Sequence, residues 1–180
     1  MKTYVILLRG VTPTGKNKVP MAELRVALAK AGLVDVQTYI QSGNVIAKSA
    51  LAAAVVEQQV HEVIAQRIGA DITVMARTPR QMADILAGIP FPAADTSKLY
   101  FSMLSARPAP EPLKALLAMD FAPARVAVVG ATIYSLYATR YSDSKFNNNF
   151  FERKLKVAAT TRNFNTMSRL LELAEAYHHG

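Results

Sequence analysis

The chain has no cysteine. Disulfides and thiolate metal sites are therefore excluded, and a reducing, cytoplasmic setting is expected. Long hydrophobic runs are missing too. No stretch approaches the roughly 18 apolar residues of a membrane span, so no membrane partner is expected. The N-terminal apolar segment ends at Arg9, too early for a signal peptide. Acidic residues are few: 13 Asp and Glu face 21 Lys and Arg, for a net charge of +8. His61, His178 and His179 fall in no metal-binding pattern, so no metal site is expected. No GxSxG, GxGxxG or Walker A motif occurs. Gly15-Lys16 imitates the end of a Walker A loop, but Asn17 stands where serine or threonine is required. These absences leave catalytic residues and cofactors unassigned.

What is present is an ordinary globular balance: 180 residues, 51% apolar and 19% charged. A chain of this length forms one domain or two small ones and buries roughly 70% of its unfolded surface, so it needs no covalent staple.

The apolar spacing sets out a regular order of elements. Residues 3–8 form a continuous apolar run, as in a strand buried on both faces. Pro20, Glu23 and Gly32 bracket a helix with Met21, Leu24, Leu28 and Ala31 inward. Val34, Val36, Thr38 and Ile40 alternate with more polar neighbours, which predicts a half-exposed edge strand. Gln41-Ser42-Gly43-Asn44 is a turn into a short buried strand over 45–47. Val56, Val60, Val63 and Ile68 mark a second helix, and Ile72, Val74 and Ala76 another alternating strand. A helix over about 79–87 follows, and residues 88–92 break the chain with Gly88, Pro90 and Pro92.

The second half repeats this order. A strand is predicted over 99–104, then a helix marked by Leu113, Leu116 and Leu117. A hairpin follows over 126–129 and 133–138, turning at Gly130. Phe146, Phe150 and Leu155 mark a helix that begins near Ser142, Ser144 and Lys145. A strand over 157–160 and a last helix with Phe164, Met167, Leu171 and Ala174 complete the chain. Arg77-Thr78 and Thr161-Arg162 occupy matching junctions of the two halves.

The order β-α-β-β-α-β is the split βαβ, ferredoxin-like unit. Its right-handed crossover leaves a gap that the third strand fills, giving an antiparallel sheet in the order 4-1-3-2. The expected fold class is thus α+β: two ferredoxin-like subdomains, each with a four-stranded antiparallel sheet, plus a C-terminal helix. The first subdomain is placed at 1–78, a helix and linker at 79–96, and the second subdomain with the C-terminal helix at 97–180.

This topology selects which polar loops meet. The basic loop after the first strand, with Arg9, Lys16 and Lys18 and no acid, should lie beside Gln41, Ser42 and Asn44. Its glycines let backbone amides turn toward a phosphate or other anion; the alternative is a solvated turn. In the second half, Thr161, Arg162, Asn163 and Asn165 should surround the start of the last helix, near Ser142, Ser144 and Lys145. An arginine beside a helix N-terminus suits an anion, whereas the competing reading is a helix cap plus an arginine tied to backbone carbonyls. These two sets are the candidate ligand-binding residues.

A basic stretch lies between Arg140 and Arg169. Seven Lys and Arg stand there against Asp143 and Glu152, a local charge of +5, with Tyr141, Phe146, Phe150 and Phe151 interleaved. Cations with aromatics bind single-stranded nucleic acid by stacking; equally, the rings are core and the charges a solvated helix face. An RNA-recognition motif proper is rejected, because residues 45–47 carry no aromatics and 133–137 lack the preceding basic-glycine pattern.

Four ordered segments resemble one bacterial family: Leu7-Leu8-Arg9-Gly10; Gly15-Lys16-Asn17-Lys18-Val19-Pro20-Met21-Ala22-Glu23-Leu24; Thr38-Tyr39-Ile40-Gln41-Ser42-Gly43-Asn44-Val45; and Ala159-Thr160-Thr161-Arg162-Asn163-Phe164-Asn165-Thr166. That family is domain of unknown function 1697, and the likeness runs over essentially the whole chain. The resemblance implies a two-part α+β fold and brings no activity. The chain departs from the family in its first loop, where Val11-Thr12-Pro13-Thr14 replaces Ile-Asn-Val-Gly, and at Phe164, where the family has tryptophan.

The sequence therefore predicts a binding module for a phosphorylated small molecule or nucleic acid. The alternatives are an enzyme acting on a small anionic substrate, with Arg9, Lys16 or Arg162 stabilising charge and Asp143, Tyr39 or Tyr141 nearest to acid-base work, and a structural or protein-interaction protein.

Overall fold

Strand β1 (Lys2–Leu8) is the spine of the first sheet because it is apolar on both faces: Tyr4, Val5, Ile6, Leu7 and Leu8 are all buried. It pairs antiparallel with β3 (Asn44–Ser49) on one side and β4 (Val74–Arg77) on the other, and β2 (Val34–Thr38) flanks β3. The order β2-β3-β1-β4 is the expected 4-1-3-2. Tyr4, Ile6 and Leu8 face the helices α1 (Met21–Lys30) and α2 (Ala53–Arg67) and pack with their Leu24, Leu28, Val56, Val60 and Ile64.

The protein is described here by a computed structural model covering residues 1–41 and 43–178; Ser42, His179 and Gly180 lie outside the described residues. The chain forms two compact units, Met1–Asp84 with the segment from Arg169 onward, and Ile85–Ser168. No helix among the described residues is long and apolar enough to cross a membrane.

One expectation for the first sheet fails. Strand β4 does not alternate between buried and exposed, since Val74, Met75 and Ala76 are all buried. The face turned away from α1 and α2 is itself covered, as the burial of Val5, Leu7 and Ile46 on that face also records. At its β2–β3 side lies the end of α6 (Phe164–His178). There Tyr177 donates to Asp35 O at 2.7 Å, lies 3.0 Å from Gln37 Oε1, and sits under Lys48 Nζ at 5.5 Å.

The second sheet repeats the plan. Strand β5 (Leu99–Leu104) lies between β7 (Thr132–Leu136) and β8 (Ala159–Asn163), with β6 (Arg125–Val129) outside β7. Its helices are α4 (Pro110–Leu117) and α5 (Asn148–Leu155), and the core between them and the sheet is rich in rings: Phe121, Tyr137, Phe146, Phe150 and Phe151.

Strand registers expose the internal repeat more sharply than the sequence does. Leu8 N donates to Gly43 O, and Leu104 N to Ala131 O, each at 2.8 Å. Val5 pairs with Arg77 as Phe101 pairs with Arg162. The equivalent of Arg77-Thr78 is therefore Arg162-Asn163, one residue beyond the junction matched by sequence alone. Thr78 and Asn163 then do the same work: Thr78 Oγ1 accepts from Gln81 N, and Asn163 Oδ1 from Thr166 N, at the starts of α3 (Pro79–Ala87) and α6.

Two boundaries in the second unit differ from expectation. Helix α5 does not begin at Ser142, Ser144 or Lys145. Residues Tyr141–Asp143 form a single tight turn, and the helix is capped by Asn147, whose side chain accepts from Phe150 N at 3.0 Å. An asparagine cap outcompetes the earlier serines because its oxygen reaches the amide three residues on while Ser144 Oγ is taken by Phe146 N. Thr160, Thr161, Arg162 and Asn163 are not a loop between strand and helix but the strand β8 itself, paired along β5 and passing directly into α6.

Candidate functional site

In the first unit the loop 9–18 forms a small hairpin of its own. Gly10 and Gly15 adopt φ of +69° and +82°, Thr12 N donates to Asn17 O at 3.0 Å and Lys18 N to Gly15 O at 3.3 Å. Lys16 and Lys18 are exposed, and among the described residues no carboxylate pairs with either. Half-buried Arg9 anchors the loop to the sheet through its own amide, which donates to Thr73 O at 3.0 Å. At Gly43 the chain comes up against this loop and the end of β1. A Cβ on Gly43 would stand 2.9 Å from Leu8 Cβ and 3.0 Å from Val11 Cγ2. Asn44 is buried and donates from Nδ2 to Tyr39 O at 3.1 Å, holding the turn. Gln41 is exposed, and Ser42 lies outside the described residues.

In the second unit the fourth strand does meet the start of α5, through Asn148. Ser102 Oγ lies 2.8 Å from Thr161 Oγ1, which donates to Asn148 Oδ1 at 2.8 Å. Thr161 has one hydroxyl proton, so Ser102 is the donor to it. Asn148 Nδ2 donates to Ala159 O at 2.9 Å, and Asn148 N to Tyr141 Oη at 3.0 Å. One asparagine thus ties β5, β8, α5 and the Tyr141 turn together. Asn148→Ala is expected to cost about 1–3 kcal/mol, since it removes the acceptor of the Thr161 hydroxyl proton and the donor to the Ala159 carbonyl. Urea unfolding of Asn148→Ala, Thr161→Val and the double variant checks this: the coupling should be at least about 0.5 kcal/mol, and additive losses would refute a shared network.

Arg162 is half-buried and donates from its guanidinium to Thr160 Oγ1 at 2.8 Å and to Thr161 O at 3.0 Å. Burial lowers its pKa to about 10, which leaves it charged at neutral pH. Asn163 caps α6, and Asn165 is exposed in its first turn. Phe164 rests against Phe101, with ring centroids 6.4 Å apart. Lys145 is exposed and reaches over the Phe146 ring at 5.2 Å. The rings of the basic stretch are largely core: Phe146, Phe150 and Phe151 are buried, and Arg153 and Lys154 cover Phe150 from outside.

A pocket of about 620 Å³ opens at the end of this sheet, lined by Lys98, Tyr100, Thr139, Arg140, Tyr141 and Ser142 among others. Its aromatic wall is built in layers. Tyr100 and Tyr141 stack with centroids 4.6 Å apart and planes 19° from parallel. Tyr137 lies edge-on to both, and its hydroxyl is held by Phe146 O. Burial pushes the Tyr137 hydroxyl pKa well above its usual range, so it remains a donor. The pocket's lining contains two cations and no carboxylate. Arg140 is exposed and bonded to Asp143 at 3.1 Å, whereas Lys98 is in salt-bridge contact with no carboxylate among the described residues and acts on Asp95 only at longer range, helping to lower its pKa.

None of the residues assigned to ligand binding from the sequence lines this pocket; Arg140 from the basic stretch, Tyr141 and Ser142 do, and Lys98, Tyr100 and Thr139 join them without having stood out in the sequence. Their signal was present in the antiparallel pairing of β5 with β7. That pairing sets Tyr100 opposite Ser135 and lets Tyr137 N donate to Lys98 O at 3.0 Å, so residues 97–100 and 137–142 share one end of the sheet.

Fold and pocket together define an α+β protein of two repeated split-βαβ units with a basic, aromatic-walled cleft in the second. A family model described as "Protein of unknown function (DUF1697)" matches residues 1–134, and the chain belongs to that family. The structure also resembles that of conserved bacterial protein SP0830 from Streptococcus pneumoniae, with a TM-score of 0.78 at 20% identity. The likeness covers 96% of this chain and 98% of that one, so the segment beyond residue 134 shares the fold. Among curated proteins, none matches the chain.

Proposed function

We propose that the chain is a binding module for a phosphorylated ligand, which it takes into the pocket of the second unit. One observation carries this reading: the lining offers Lys98 and Arg140 with hydroxyls and contains no carboxylate. A phosphate entering it gains charge-assisted hydrogen bonds and meets no lining acid. Lys98 is the stronger anchor, because the Arg140 guanidinium is already partly neutralised by Asp143.

A second location for the same chemistry is the loop of the first unit. Lys16 and Lys18 stand there with no carboxylate partner among the described residues, beside two glycines of positive φ. Calorimetric titration with ribose 5-phosphate separates the two locations. Lys98→Ala should weaken binding about tenfold or more, while Lys16→Ala leaves it within about twofold, and both variants should melt like the parent because exposed substitutions cost within about 0.5 kcal/mol. The opposite pattern moves the site to the first unit. Binding untouched by either variant, or no binding by ribose 5-phosphate or any larger phosphorylated probe up to millimolar concentration, sinks the reading. Release of inorganic phosphate during the titration would turn the module into an enzyme.

A further inference from the structure

We infer that the ligand is a mononucleotide, a planar base joined to a phosphate, with the base against the Tyr100–Tyr141 stack and the phosphate on Lys98. This rests on the phosphate reading above and adds the ring.

Size comes first. At about 620 Å³ the pocket lies in the range of sites for whole small molecules and far exceeds what a phosphate group fills. The wall supplies the second argument. Tyr100 and Tyr141 are half-buried, near-parallel and already locked, Tyr141 by Asn148 N on its hydroxyl and both rings by Tyr137 at 5.5 and 5.4 Å. A base laid on this wall lengthens an existing stack and pays little to order it. The rim supplies the third. The hydroxyls of Thr139 and Ser142 line the pocket with no partner among the described residues, so they are available to the edge of a base or to a ribose.

The same observations argue for one nucleotide and against a strand. A strand needs successive stacking platforms along a basic groove. The large apolar side chains that stand exposed are Met1, Val26, Ile40, Leu51, Val55, Leu117 and Val129, none of them aromatic. Tyr39, Phe164 and Tyr177 are half-buried like Tyr100 and Tyr141, but none of the three lines this pocket.

The chain has seven tyrosines and no tryptophan, so its intrinsic fluorescence reports stacking on tyrosine directly. Full-length protein is titrated with uridine and adenosine monophosphates, the matching nucleosides, ribose 5-phosphate and a ten-residue oligouridylate. The monophosphate of at least one base should bind about tenfold or more tighter than both its nucleoside and ribose 5-phosphate, and should quench the tyrosine signal. Tyr100→Leu should reduce the monophosphate to the ribose 5-phosphate level, while Tyr100→Phe keeps the ring and the affinity. If Tyr100→Leu melts early, the phenylalanine variant and the ligand comparison on the parent protein still decide. Ribose 5-phosphate binding as tightly as the monophosphates overturns the ring while leaving the phosphate reading intact. No binding by any phosphorylated probe ends both. An oligouridylate bound tenfold or more above the monophosphate overturns the single-nucleotide inference in favour of a strand.

Discussion

Phe151→Ala is expected to remove about 3–5 kcal/mol of stability, the range for a fully buried phenylalanine truncated to alanine. Phe151 has no exposed surface and sits in the ring-rich core of the second unit, edge-on to Phe150 at 5.7 Å. That cost has a structural consequence beyond the cavity. Helix α5 has eight residues, too few to be stable by propensity, so it is held by its Asn147 cap and by burying Phe150, Phe151 and Leu155. The same helix starts with Asn148, which bonds Tyr141 in the wall of the pocket. Loss of Phe151 should therefore lower the melting temperature by roughly 6–20 °C and loosen the tyrosine stack, seen as a weaker near-ultraviolet tyrosine signal. Phe151→Leu, which refills most of the volume, should cost far less. A drop below about 1 kcal/mol for the alanine variant in urea unfolding would show that the core collapses around the gap or that α5 is held by other means.

Gly43→Ala is expected to cost about 2–4 kcal/mol, although it adds a single methyl group. Two terms combine. The φ of +83° is a conformation in which an L side chain is strained. The new Cβ would also lie 2.9 Å from Leu8 Cβ and 3.0 Å from Leu8 O, both on the central strand and unable to swing away. Gly15→Ala separates the two terms. Its φ of +82° is nearly the same, yet nothing lies within 4 Å of its added Cβ. Gly15→Ala should therefore show only the backbone term, about 1–2 kcal/mol. Equal losses for the two variants, measured by urea unfolding, would mean that the close approach of the 41–44 turn to β1 contributes nothing.

These two positions also mark the difference between what could be read in advance and what could not. Gly43 was legible as a turn residue between an alternating run and a buried strand, but its pressure on Leu8 and Val11 was not. Turn chemistry is written in neighbouring residues, whereas the distance to another strand depends on how β1 and β3 pair. Phe150 was placed on α5 by spacing. The start of that helix is ambiguous in the sequence because Ser142, Ser144 and Asn147 are all capping residue types, and the winner depends on which oxygen is free once Phe146 is buried. The segment 160–163 reads as a polar junction because an edge strand can carry threonine, arginine and asparagine when its neighbour β5 supplies the apolar contacts. Likewise β4 reads as half-exposed, since alternation reports one covered face and cannot report a second.

The sequence by itself determined the repeated β-α-β-β-α-β order, the central place of β1 and β5, the 4-1-3-2 sheets and the membership of the family. Each follows from apolar periodicity, turn residues or motif order, which are properties of residues close together in the chain. Only the tertiary structure decided that Arg77 is the counterpart of Arg162, that Asn148 joins four elements, and that Lys98 and Tyr100 share a pocket with Thr139, Arg140 and Tyr141. Those facts depend on strand register, and register is settled by how two distant faces pack, because a slip of one residue would turn every side chain of a strand to the opposite face.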